Sequence, residues 1–205
     1  KLTGGLHGVG LHVVNALSKK LIAVVKHDGK IYYDIFEQGI PVSGLKTASD
    51  VSEIEKLGIK IQFPEHGAII KFYPDPDIFE TTEFSYETIL ARLTDLSYLN
   101  PQLTITFLDE ASGRKDILHH EGGLIELVRH LSEGKEALME PLYLKEEVDS
   151  HMVEFSLLYT TDVQETLMSF VNNISTPEGG THVAGFHQGL SRAIQDYARS
   201  NNKIK

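Results

Sequence analysis

The sequence predicts an α+β fold, on three observations. Short β-branched or alternating runs (21–27, 31–36, 68–73, 103–108) are mixed with stretches whose apolar residues recur every three or four positions (84–99, 124–131, 180–198). The two kinds of segment follow one another without strict alternation, which favours α+β in both halves. The 205 residues, 41% apolar and 23% charged, suffice for one large or two small domains with an ordinary core. We place the boundary near residue 119, giving domains at 1–119 and 120–205.

Residues 1–10 (KLTGGLHGVG) read as a glycine-rich loop and 11–18 as a short helix with Val13, Val14 and Leu17 at helical spacing. The β-formers at 21–27 and 31–36 flank Asp28-Gly29, the strongest short-range hairpin signal. Residues 44–66 are polar and punctuated, and read as an irregular insertion. The run AIIKFY at 68–73 is a strand ending at Pro74, whose missing N–H suits a strand end. Tyr86, Ile89, Leu90, Leu93 and Leu96 form one apolar face of a helix over 84–99, closed by Pro101. A strand at 103–108 turns at 111–113 and returns over 115–119.

Glu121-Gly122-Gly123 opens a second helix with Leu124, Leu127, Val128 and Leu131 on one side, ended by Gly134. Strands are expected at 151–160, where Val153, Phe155, Leu157 and Tyr159 alternate, and at 164–172. Asn172-Asn173 caps or terminates the latter. The last helix, 180–198, carries Val183, Phe186, Leu190, Ile194 and Tyr197 as a core stripe, with Thr181 as its N-cap.

Composition excludes several functions. The net charge of -10, from 29 acidic and 19 basic residues, does not suit a broad grip on phosphate backbones, so any DNA contact is local or made elsewhere. With no cysteine there are no disulfides and no thiolate metal sites, in keeping with a cytoplasmic location. No apolar run approaches the roughly 18 residues that cross a bilayer, and no signal peptide is present. A chain opening inside a glycine loop reads as a piece of a longer protein. Among the ten histidines, His119 and His120 are adjacent and face opposite sides of a strand. His182 and His187 are five apart, not the i, i+4 spacing of a zinc helix. Hydrogen-bonded structural histidines are the expectation, with no metal site.

Gly4, Gly5, Gly8 and Gly10 let the main chain approach an anion, and the helix start that follows adds unpaired N–H groups. A Walker loop would end in Gly-Lys-Ser/Thr, whereas Gly10 is followed by Leu11 and His12. A dinucleotide fingerprint would read G-x-G-x-x-G after a strand, and the order here is Gly-Gly-x-x-Gly-x-Gly.

The string Gly4-Gly5-Leu6-His7-Gly8-Val9-Gly10, followed by Val13-Val14-Asn15-Ala16-Leu17-Ser18, closely resembles the ATP-lid motif of the B subunits of bacterial type IIA DNA topoisomerases. These belong to the GHKL ATPases. A second block, Phe170-Val171-Asn172-Asn173-Ile174 and then Glu178-Gly179-Gly180-Thr181-His182-Val183-Ala184-Gly185-Phe186, resembles the transducer domain of the same subunits. Phe72-Tyr73-Pro74 and His120-Glu121-Gly122-Gly123 fall between them in family order. The resemblance covers nearly the whole chain, least so at 44–66.

The resemblance implies that 1–119 is the C-terminal part of a GHKL (Bergerat) ATPase α/β sandwich, from the ATP lid onward. It implies that 120–205 begins a transducer domain with a left-handed βαβ crossover. By family analogy the lid, with Lys1, Gly4, Gly5, Leu6, His7, Gly8, Val9, Gly10 and Leu11, wraps the triphosphate of ATP, and Ala68 lies on the adenine side. ATP binding would then dimerise two B subunits into a clamp around DNA, for strand passage with the A subunit of gyrase or topoisomerase IV. The family's general-base Glu, its Mg²⁺-binding Asn and its adenine-reading Asp lie upstream of Lys1, and the transducer lysine that reaches the γ-phosphate lies beyond Lys205. No catalytic residue is therefore expected here, and the chain alone should not hydrolyse ATP.

Three positions depart from the family pattern. Ala68 replaces a Thr that helps read adenine through a water, His27 an Arg at the pocket rim, and His12 a Ser after the lid. Losing one neutral hydrogen bond costs about 0.5–1.5 kcal/mol, up to roughly tenfold in affinity. Two alternatives stay open: another GHKL ATPase such as MutL, which would lack the 178–186 block, and a nucleotide-free structural or interaction module.

Overall fold

The pair Asp28-Gly29 takes left-handed φ values of 49° and 71°, as a two-residue hairpin turn demands. It joins β1 (Ser18–His27) to β2 (Lys30–Glu37) in antiparallel register, with Val24 opposite Tyr33 and Ile22 opposite Ile35. A short helix, α1 (Gly10–Ala16), runs almost directly into β1. β3 (Ile40–Pro41) and β4 (Lys46–Thr47) extend β2, and β5 (Gly67–Pro74) lines the other side of β1. The result is a five-stranded antiparallel sheet of order β3-β2-β1-β5, with β4 also on β2. This computed structural model describes residues 7–59 and 65–204. They fall into two compact units, His7–Phe84 and the residues from Ser85 onward.

Residues alternate across the sheet, so each strand feeds two faces. Ile22, Val24, Ile31, Tyr33, Ile35 and Ile69 share one face, which packs against Ile54, Ile59, Ala48 and Leu57. The cover comes from the segment expected to be irregular. It holds β4 and a single-turn helix, α2 (Val51–Glu55), whose N-cap Asp50 accepts from the N–H groups of Ser52 and Glu53. Ile54 is fully buried, and the Tyr33 hydroxyl donates to Glu53 Oε1 at 2.7 Å. Five helical residues are too few to show a period, which is why the expectation missed α2.

In the second unit, Ser85 N-caps α3 (Tyr86–Leu99), its hydroxyl accepting from Thr88 N–H. The predicted apolar stripe is only half-buried, and Ser97 and Tyr98 are the buried positions. β6 (Ile105–Leu108) and β7 (Lys115–Leu118) form a hairpin. The Tyr86 ring stacks on Phe107 at 4.6 Å, lies 3.7 Å from the Arg114 guanidinium, and hydrogen-bonds through its hydroxyl to Asp116. Helix α4 (Gly123–Leu131) starts at a glycine with φ 55°, where a Cβ would come within 3.2 Å of the Pro101 ring. α3, β6 and β7 pack with the elements that follow them.

Next comes a hairpin of β8 (Leu142–Val148) and β9 (His151–Leu157), turned by Asp149 and Ser150 at φ 48° and 64°. β8 escaped the sequence reading because LYLKEEV buries neither face, so no alternation marks it. The expected strand at 151–160 stops at Leu157. That at 164–172 shrinks to β10 (Phe170–Val171), paired with β11 (Ile174–Ser175) around Asn172 and Asn173. Both asparagines have positive φ and make the turn, so they terminate the strand as expected. The last helix is α5 (Thr181–Ser200). Gly180 holds its N-cap position and Thr181 is its first residue, so the expected threonine cap is absent. Phe186 meets Phe155 edge-on at 5.2 Å, whereas Ile194 and Tyr197 are 49% and 68% exposed. The C-terminal half of the stripe is therefore not core in this chain.

Candidate functional site

Among the expected lid residues, Lys1, Gly4, Gly5 and Leu6 lie outside the described residues. His7 and Gly8 form a bend, and His7, Gly8, Val9, Gly10 and Leu11 are all exposed. Gly8 takes φ 66°, and nothing lies within 4 Å of where its Cβ would stand. The left-handed conformation, not crowding, is what favours glycine there. Val9 sits at the N-cap of α1 and its carbonyl accepts from Val13 N–H at 3.0 Å. The helix begins at Gly10, one residue before the expected start. Over its described residues, 7–10, the loop is not sealed into a tight turn.

The other end of α1 is pinned to the sheet. Asp75 N–H donates to the Leu17 carbonyl at 3.1 Å, and Gln38 N–H to the Ser18 carbonyl at 3.2 Å. Ser18, 2% exposed, donates its hydroxyl to the Val14 carbonyl at 2.6 Å. Gly39, at φ 81°, lies so near that a Cβ would come within 3.3 Å of Ala16 Cα. The bonds to Val14 and Leu17 satisfy carbonyls that a helix end leaves without intrahelical partners. Under the helix, Val13, Val14, Leu17, Phe72, Phe79 and Phe84 line an apolar cavity of about 190 Å³.

Ala68 pairs with Val25 on the sheet face opposite the insertion. It shares that face with Ala23, Tyr32, Asp34, Ile70 and Phe72. Ala68, Val25, Ile70 and Phe72 are exposed there. From Ser18 to Val25 is seven residues of strand, about 23 Å at the usual rise. The root of α1 and Ala68 therefore stand toward opposite ends of one sheet face. His27 lies beyond Ala68, opposite Lys30, with Nε2 3.4 Å from the Asp28 carboxylate and its side chain 71% exposed. Lys26, His27, Asp28, Gly29, Glu65 and His66 border an open basin of about 540 Å³ at that end. His12 is exposed on α1.

The two histidine pairs considered above have separate partners. His119 Nδ1 meets the Leu103 carbonyl, His120 Nδ1 the Ser97 hydroxyl at 2.6 Å, His182 Nε2 the Thr176 hydroxyl, and His187 Nε2 Glu165 at 3.6 Å. Among the described residues no three His, Cys, Asp or Glu are grouped to hold a metal ion. Nor, among them, is any helix long and apolar enough to cross a membrane. The 178–186 block forms a tight entry to α5: Gly179 has φ 72°, and at Gly180 a Cβ would come within 3.0 Å of His182 Nδ1. Sequence reasoning missed Gln38, Gly39 and Asp75, which hold the root of α1. They are far from Leu17 and Ser18 along the chain, and only the register of β1 against β2 and β5 unites them.

Comparison with known proteins finds chains similar in sequence and in fold. A family model described as DNA gyrase B matches residues 123–205. The chain is 44% identical to the gyrase B protein of Campylobacter jejuni over 98% of its length, covering 24% of that protein. It is 43% identical to that of Archaeoglobus fulgidus over 99% of its length, covering 31%. The chain thus spans about a quarter to a third of these relatives. The 43K ATPase domain of Thermus thermophilus gyrase B, solved with an aminocoumarin, superposes with a TM-score of 0.79 at 29% identity, over 97% of this chain and 52% of that one. The ATP-binding domain of Francisella tularensis topoisomerase IV, solved with a small-molecule inhibitor, gives a TM-score of 0.74 at 28% identity, over 97% of this chain and 52% of that one. Along nearly its whole length the chain is thus similar to a segment of DNA gyrase B, and its residues 123–205 match that family's model.

Proposed function

We propose that this chain is the ATP-lid and energy-relay segment of a type II DNA topoisomerase of the gyrase B kind, in which ATP binding closes a clamp around DNA for strand passage. The observation that carries the reading is the open bend at His7 and Gly8, leading into a helix rooted on a sheet whose exposed face holds Ala68. A loop free of side-chain cover can turn its amides to a triphosphate, while an apolar sheet face accepts the flat base. In this reading Lys1, Gly4, Gly5, Leu6, His7, Gly8, Val9, Gly10 and Leu11 serve the phosphates and Ala68 the adenine side. Residues 1–119 are the later part of the ATPase domain, and 120–205 begin the transducer.

The described residues group no ligands for a Mg²⁺ ion, so no step is assigned through one. The assembled enzyme would act with two gyrase B-type chains, the gyrase or topoisomerase IV A protein, and DNA. Equilibrium binding of a non-hydrolysable ATP analogue to the full-length protein tests the reading. Gly8→Pro should weaken it at least tenfold, because proline cannot reach the left-handed φ that Gly8 adopts. Equal affinity of the two proteins, or no binding by the unsubstituted one, overturns the reading in favour of a nucleotide-free module.

A further inference from the structure

Asp75 is an acidic residue only 2% exposed, and nothing in the proposed nucleotide chemistry uses it. It lies just past β5, where four of its groups tie three segments together. Oδ1 accepts from Asp77 N–H at 3.0 Å and Oδ2 from Gln38 Nε2 at 3.1 Å. Its carbonyl accepts from the N–H groups of Ile78 and Phe79, and its own N–H donates to the Leu17 carbonyl at the end of α1. Gln38 in turn donates its main-chain N–H to Ser18, where α1 passes into β1. Gln38 takes φ 49°, a left-handed conformation that aims side chain and main chain at this junction. The arrangement is a closed loop of hydrogen bonds: Asp75 to Leu17, along the chain to Ser18, to Gln38, and back to the Asp75 carboxylate. Its main-chain and side-chain donors hold the carboxyl below the ordinary carboxylate range, with Lys19 adding attraction. The group therefore stays ionised at neutral pH.

Buried carboxylates persist where their hydrogen bonds define one geometry. Here the geometry defined is the root of the helix that carries the lid. α1 has seven residues and no buried side chain of its own, so packing alone holds it weakly.

We propose that Asp75, through Gln38, is the positioning residue of the ATP lid: the latch sets the angle at which α1 leaves the sheet and so where the glycine loop meets the phosphates. The inference rests on the nucleotide reading above.

The test uses the full-length protein with Asp75→Ala, Asp75→Asn and Gln38→Asn. Asparagine tolerates the left-handed φ at 38 but is one methylene too short to reach. Amide exchange by mass spectrometry is read over 10–17 and over β1 and β2, alongside affinity for a non-hydrolysable ATP analogue and for ADP. Asp75→Ala and Gln38→Asn should speed exchange in α1 at least tenfold while β1 and β2 keep their protection. Both should weaken the triphosphate analogue about tenfold and ADP less. Asp75→Asn should recover most of the affinity, since its amide oxygen can still accept from Asp77 and the Gln38 amide can turn to accept from its NH₂. Unchanged exchange in α1, or equal losses for the two nucleotides together with faster exchange across the sheet, overturns the inference. Failure of the unsubstituted protein to bind nucleotide overturns the functional reading instead.

Discussion

The two faces of the five-stranded sheet are built from the same strands yet end in opposite states. On one, Ile22, Val24, Ile31 and Tyr33 are covered by Ile54 and Ile59 of the insertion and are almost fully dry. On the other, Val25, Ile70 and Phe72 are 42%, 38% and 40% exposed, although they are as apolar as their neighbours across the pleat. Among the described residues of that face, only Leu21, near the root of α1, is a buried apolar residue. Apolar content therefore does not decide burial; what decides it is whether the chain supplies a cover. The insertion closes the first face and supplies the buried core of the unit. The second face remains available to a ligand or to further structure.

The difference can be broken most severely at Ile54. Ile54→Ala removes a fully buried side chain from the cover and should cost about 2–5 kcal/mol. Ile70→Ala, a similar truncation on the exposed face, should cost about 1 kcal/mol or less. Urea unfolding of both variants measures the contrast, and equal losses would show that the two faces are not distinct in solution.

Acid should loosen the closed face next. The Ser52 hydroxyl holds Asp50, and the Tyr33 hydroxyl holds Glu53, below the ordinary carboxylate range. A carboxyl lowered in the folded state contributes its stability in full above its unfolded value and loses it as pH falls through the folded one. The thermal midpoint should therefore be flat from pH 7 to 5 and fall below about pH 4. Joint Asp50→Asn and Glu53→Gln substitution should lower the plateau and soften that fall. A decline beginning near pH 6 would show that these two carboxyls do not govern the acid response.

The smallest effect is expected on the open face. Ala68→Thr leaves the thermal midpoint unchanged and, by adding a hydroxyl beside the proposed base, tightens nucleotide binding up to roughly tenfold. Binding titrations beside melting curves measure both. A shift in the midpoint without a change in affinity would make position 68 structural.

Legibility in the sequence followed the range of the interactions involved. The β1–β2 hairpin was readable because Asp28-Gly29 carries its turn chemistry locally, and α3 because fourteen residues are enough to hold a period. The glycine loop was readable as a string of residues, and Ala68 as a departure from a familiar pattern. α2 and β8 were not readable: one is a single turn whose Ile54 has meaning only under the sheet, and the other is exposed on both faces. Ile194 and Tyr197 misled for the converse reason, since a helical stripe announces a buried face whether or not a neighbour is there to bury it.

The sequence by itself determined the α+β character, the main hairpin, the principal helices and the likeness to gyrase B, because each is written in residues a few positions apart. Tertiary structure alone decided which sheet face is closed, that Asp75 and Gln38 meet across 37 residues, and how α1 is held at its root. Those outcomes depend on strand register and on which segment folds over which. Both are global balances of burial against chain entropy that no local window of residues contains.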